Sequence, residues 1–91
     1  MKDAELKLLA WVLRGSQRRE IIKVMNGHMI PAQIYKESIK LNPKITRNSV
    51  SDILRVFRHN NIVKCINPEE KKGRIYELTY IGKKIRKEVS K

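Results

Sequence analysis

Cysteine occurs once in this chain of 91 residues, at position 65, and that scarcity removes two ways of holding a small domain together. A lone thiol forms no internal disulfide and no multi-cysteine zinc site, so the fold has to rest on packing, and a reducing compartment is open to it. Aromatic residues are also few, one Trp, one Phe and three Tyr, and none is set out as a stacking platform for unpaired bases. No stretch approaches the roughly 18 apolar residues of a membrane-spanning helix, and Leu6 to Leu13 is too short and wrongly flanked for a secretory leader. A cytoplasmic location, with no membrane partner, is expected. The four glycines are scattered at the ends of elements, with no glycine-rich loop following a strand. His28 and His59 have no Cys, Ser or acid at a spacing that suggests a nucleophile and base or a metal ligand set. The sequence therefore points away from an enzyme, and no metal or cofactor is expected.

Acidic residues are the last scarcity, nine Asp and Glu against 21 Lys and Arg, for a net charge of +12. Self-repulsion of that size burdens a small protein unless its partner is a polyanion, which makes nucleic acid the leading partner. The cations are spread along the chain and not held in a tail, as expected of a charged surface on a folded body. At this length there is room for one domain with one modest core, and residues 1–91 are read as a single unit.

Hydrophobic spacing organises that unit. A first helix is expected from about Ala4 to Arg14, with Asp3 as its N-cap and Gly15 as its stop. Leu6, Leu9, Ala10 and Leu13 share one side of it at i, i+3, i+4, i+7, and this side is assigned to the core. Leu8, Trp11 and Val12 fall roughly opposite. Either both sides pack within the domain or the second side is the interface of a homodimer, and the dimer is the favoured reading. Ser16 is read as the cap of a second helix reaching about Met25, ended by Asn26 and Gly27. Pro31 then opens a supporting helix that carries Ile34, Tyr35 and Ile39 and stops at Leu41, Asn42 and Pro43.

Residues 45–79 carry the most information. Thr46 is a plausible N-cap, and Val50, Ile53, Leu54 and Phe57 recur at helical spacing, which defines a helix over about 46–60. With those residues inward, Asn48, Ser51, Asp52 and Arg55 turn outward, Ser49 lies at the margin, and Arg47 sits in the first turn. Short polar side chains at the leading end suit a helix that approaches base edges: Asn pairs with adenine, Ser with several bases, and Arg with guanine or a phosphate. Asp52 is expected to orient Arg55 as an i, i+3 pair. Asn60 and Asn61 end the helix, and two apolar runs, Ile62 to Ile66 and Ile75 to Leu78, form a hairpin over about 62–78. Its turn from Pro68 to Gly73 leads to the cations Lys71, Lys72 and Arg74, which are assigned to phosphate or the minor groove. Cys65 is read as a buried, inert thiol. Thr79 caps a last helix over about 79–90, whose stripe Ile81, Ile85 and Val89 serves the core or a dimer, Ile85 and Val89 being assigned to the dimer.

In order and spacing these pieces resemble the small archaeal winged helix-turn-helix regulators, relatives of the multiple-antibiotic-resistance and arsenical-resistance repressors. The matching segments are Trp11 to Gly15 followed by Arg18 and Arg19, Asn48 to Leu54 leading to Ile62 and Val63, Cys65 to Pro68, and Gly73 to Tyr76 with Leu78, Thr79 and Gly82. The resemblance covers nearly the whole chain. It implies a mainly α fold with a small β-hairpin (α+β), and a homodimer that binds double-stranded DNA to regulate transcription. It also implies that Asn48 to Arg55 form the recognition helix and Lys71 to Arg74 the wing. The chain lacks the paired cysteines and the histidine and acid cluster of the metal-sensing members, and the long dimerisation helices of larger relatives. An RNA-binding or ribosome-associated protein, a nonspecific chromatin-type protein, and a protein-interaction module of the same fold remain alternatives.

Overall fold

A computed structural model describes residues 1–91 as five helices and a two-stranded antiparallel sheet, in the order α1 (Asp3–Leu13), α2 (Ser16–Val24), α3 (Pro31–Leu41), α4 (Arg47–His59), β1 (Val63–Cys65), β2 (Tyr76–Leu78) and α5 (Tyr80–Val89). The chain is mainly α with a small sheet, as the periodicity implied. Asp3 and Ser16, read as caps, are instead the first residues of their helices. At α1 the Lys2 N–H donates to the Glu5 carboxylate at 3.2 Å. Pro31 opens α3, where its missing N–H costs nothing, and the Ile30 N–H finds the Gln33 side chain at 3.0 Å. Asn42, extended ahead of Pro43, ends α3, and its side chain accepts the Lys44 N–H at 3.1 Å. The turn 42–46 then delivers buried Ile45 to the core and Thr46 to the cap of α4, where its hydroxyl accepts the Ser49 N–H at 3.0 Å.

The core takes Ile21, Ile22 and Met25 from the second helix region, Ile34 from α3, Val50, Leu54 and Phe57 from α4, Ile62, Val63, Tyr76 and Leu78 from the hairpin, and Ile85 and Val89 from α5. The first helix joins it mainly with the side opposite to the one assigned from periodicity, of whose four residues only Leu9 packs inward. Val12 is fully buried, and Leu8, Leu9 and Trp11 pack against the core, whereas Leu6 and Leu13 are 48% and 42% exposed and Ala10 is exposed as well. Both arcs of α1 are apolar, so spacing alone could not rank them. Trp11 decides the matter, because its ring meets Phe57 edge-on at 5.9 Å and is roofed by the Arg18 guanidinium at 4.4 Å. The expected dimer surface is corrected accordingly: Val12, Ile85 and Val89 are buried within the chain, and Leu8 and Trp11 are already packed.

Where α4 ends, Asn61 takes the left-handed conformation at φ 59°, and the Ile62 N–H returns to the Phe57 carbonyl at 2.8 Å. The hairpin pairs Val63 with Leu78, Lys64 with Glu77 and Cys65 with Tyr76. Its outer edge carries a connection to a residue distant in sequence. Met29 and Tyr76 exchange both backbone hydrogen bonds, at 3.0 and 2.8 Å, which ties the α2–α3 link to β2.

Thr79 closes the structure. Its N–H reaches the Ile62 carbonyl at 3.0 Å, its hydroxyl lies 2.7 Å from the Asn61 carbonyl, and the same oxygen accepts the Gly82 N–H at 3.0 Å. The first turn of α5 therefore lies directly on the α4–β1 junction. A Cβ on Gly82 would come within 2.1 Å of the Ile62 carbonyl oxygen, a backbone atom with no freedom to step aside. Gly82→Ala is expected to destabilise the protein by about 2 to 3 kcal/mol, the upper part of the range for overpacking, and to lower the melting temperature by roughly 10 °C or more in a circular-dichroism melt. An unchanged melting temperature would show that α5 is not seated there.

Candidate nucleic-acid interface

The outer face of α4 is built by the burial of its inner one. With Val50, Leu54 and Phe57 in the core, Arg47, Asn48, Ser51, Asp52 and Arg55 are exposed in the places the periodicity assigned. Asp52 pairs with Arg55 one turn on, so the acid braces the guanidinium instead of standing alone. Arg47 lies over the Tyr35 ring at 5.3 Å, which holds it back against α3. Ser49 is half-buried and its hydroxyl bonds Thr46 at 2.9 Å, so it belongs to the cap more than to the exposed face.

The hairpin turn is held by one side chain. Asn67 Oδ1 accepts the Ile75 N–H at 2.7 Å, and its Nδ2 donates to the Gly73 carbonyl at 3.1 Å. Gly73 itself has φ 67°, which side-chain-bearing residues rarely adopt. Arg74 donates from Nε to the Glu70 carbonyl at 2.7 Å, so this cation stiffens the turn as well as charging it. Lys71 and Lys72 are exposed in the turn. Cys65, half-buried and not fully enclosed as expected, points its thiol at Asn67 Oδ1 across 3.6 Å.

Between α4 and the hairpin runs an open cleft of about 360 Å³. Ser51, Arg55 and Arg58 line one side, Lys71 and Arg74 the other, and Pro31 at the start of α3 borders it. Four cations thus converge on one concavity, with Asp52 the neighbouring acid of α4, and such a groove focuses positive potential. Arg58 escaped the sequence reading. Its signal was present, since Ser51, Arg55 and Arg58 follow at i, i+4, i+7 and share one face of the helix. The position of Pro31 had no such signal, because it depends on the backbone bridge from Met29 to Tyr76.

At the hairpin base, Glu77 accepts from Lys64 at 3.1 Å and from His28 at 2.9 Å. His28, exposed at the surface, has a partner 49 positions away in sequence. No group of three or more His, Cys, Asp or Glu is placed to hold a metal ion, and no helix is long and apolar enough to cross a membrane. Comparison with protein-family models, with curated proteins and with solved structures found no match to this chain.

The Lys64 hydrogen bond, with smaller help from the charges of Lys64 and His28, holds the Glu77 carboxyl below its ordinary value of 4.5. A carboxylate whose pKa is lower in the folded state stabilises the fold above its unfolded pKa, and this contribution disappears as pH falls through the lowered value. Lys64→Ala is expected to raise the Glu77 pKa toward 4.5, read by NMR titration of the side-chain carboxyl. A Glu77 titration that does not move would refute the assignment to Lys64.

Proposed function

We propose that this chain is a winged helix-turn-helix protein that binds duplex DNA and regulates transcription in the cytoplasm. In this reading α3, the turn 42–46 and α4 form the helix-turn-helix, α4 enters the major groove, and the hairpin is a wing on the flanking backbone or minor groove. The observation that carries the reading is the continuity of the polar outer face of α4 with the cation-lined cleft leading to the hairpin tip. Asn48, Ser51 and Arg55 stand where base edges would be read, while Arg58, Lys71 and Lys72 are set for phosphates. Arg74 adds charge to the cleft from a fixed position.

Two copies reading successive major grooves need a mutual surface, and the exposed arc of α1 fits it. Leu6, Ala10 and Leu13 lie along one line, and residues 1–13 carry two cations and two acids in a chain of +12. Copies so strongly charged approach most easily where each is neutral and apolar.

Selection of duplexes from a fully randomised pool at about 150 mM salt is expected to recover two related half-sites roughly one helical turn apart. An unenriched pool would set sequence reading aside. With about six phosphates neutralised, affinity should fall roughly a thousandfold between 50 and 200 mM salt. Arg55→Ala should weaken binding and relax base preference, whereas Arg58→Ala and Lys72→Ala should weaken all sequences alike and each reduce the salt slope by about one. Equal, sequence-independent losses from all three would remove Arg55 from base readout. Leu6→Glu should convert a sedimenting dimer to monomer and weaken binding to the double site far more than to one half-site. A dimer that survives this change does not use α1.

A further inference from the structure

The cations outside the α4 face are not evenly scattered. Arg86 of α5 donates from Nε to the Lys23 carbonyl at 3.1 Å, which brings the last turn of α2 against α5. Lys83 and Arg86 border one surface depression beside Asn26 and Gly27, and Lys87 follows Lys83 by one helical turn. Lys23, Lys83 and Lys87 are exposed, and none of the four cations makes an ion pair, although neighbouring Lys84 pairs with Glu5. Each helix holds a single acid, Glu20 on α2 and Glu88 on α5, and Glu88 is already engaged by Lys91. Glu77, at the edge of the depression, is taken by Lys64 and His28.

This patch is built on elements other than those that charge the cleft. Of its cations, Lys83 and Arg86 line the α2–α5 depression, and none of the four lines the cleft, which takes its cations from α4 and the hairpin turn. A polyanion held by the cleft cations Arg55, Arg58, Lys71 and Arg74 therefore has no direct contact with Lys23, Lys83 or Lys87.

We propose that the α2–α5 patch is a second seat for duplex DNA, so that one molecule bridges two duplexes or two segments of one. The proposal rests on the reading of the α4 face as a DNA surface. Duplex backbone is the occupant that suits the chemistry: Lys83 and Lys87 stand one helical turn apart beside Lys23, there is no apolar centre for a protein partner, and the exposed aromatic of α5, Tyr80, already carries the Lys84 ammonium over its ring at 4.5 Å. Contacts of this kind hold phosphates and read no sequence.

The test immobilises one duplex carrying the selected site and measures capture of a second, labelled duplex of unrelated sequence, with single-duplex affinity determined separately by fluorescence anisotropy. Wild-type protein should capture the second duplex. Lys83→Glu/Lys87→Glu should lose capture by about tenfold or more and keep its single-duplex affinity, with Lys23→Gln weakening capture less and guarding against misfolding of the double variant. Capture undiminished in the double variant would mean that the α4 faces of two copies do the bridging, and would overturn the proposal. So would normal single-duplex binding without capture, or capture of a labelled RNA helix in place of DNA. Loss of all duplex binding would instead refute the reading of the α4 face on which the proposal stands.

Discussion

The placing of α4, the hairpin and α5 against one another rests on the contact between Thr79, Gly82 and the Ile62 carbonyl. That oxygen accepts the Thr79 N–H, the Thr79 hydroxyl caps α5, and Gly82 lets the helix settle onto the same atom without a Cβ between them. Three elements are fixed at once: the end of α4, the closing strand of the hairpin and the start of α5. The angle between α4 and the hairpin, and hence the width of the cleft that they share, follows from this junction. A second tie, the backbone bridge between Met29 and Tyr76, brings the start of α3 to the same cleft from the opposite edge of β2.

Charge is arranged by the same frame. Of the 21 cations, Lys40, Arg55, Lys64, Lys84 and Lys91 are in ion pairs, so most of the positive charge is uncompensated within the chain. Several of the others perform structural work while staying charged. Arg19 and Arg86 donate to the carbonyls of Leu13 and Lys23 at the ends of α1 and α2, where the helix dipole favours a cation, and Arg18 covers the face of Trp11. Arg74 does the same for the hairpin turn. These residues hold their positive charge in defined positions.

Much of this was legible in the residues. The strong apolar period of α4, the cap at Thr46, the left-handed end at Asn61 and the cap at Thr79 are local signals, each set by side chains within a few positions, and each lies where it was expected. The outward set from Asn48 to Arg55 follows once the inner face is known, including the pairing of Asp52 with Arg55. The first helix shows the opposite case. Its two apolar arcs are nearly equivalent as patterns, and the arc expected to be buried is left mostly exposed, with only Leu9 reaching the core, because Trp11 has Phe57 and Arg18 to pack against while Leu6 and Leu13 have nothing in the chain to cover them.

Sequence alone determined the kind of protein this is: a small, basic, mainly helical chain with one short hairpin, its elements in order and the polar face of α4 named residue by residue. These features depend on local propensity and periodicity, which act over a turn of helix or a strand. Only the tertiary structure decided which side of α1 is free, that Arg58 and Pro31 join the cleft, that His28 meets Glu77, and that Lys23 lies beside Arg86. Each of these is a meeting of residues distant along the chain, chosen by how the faces of several elements fill one core together, and no pattern read within a single element contains that choice.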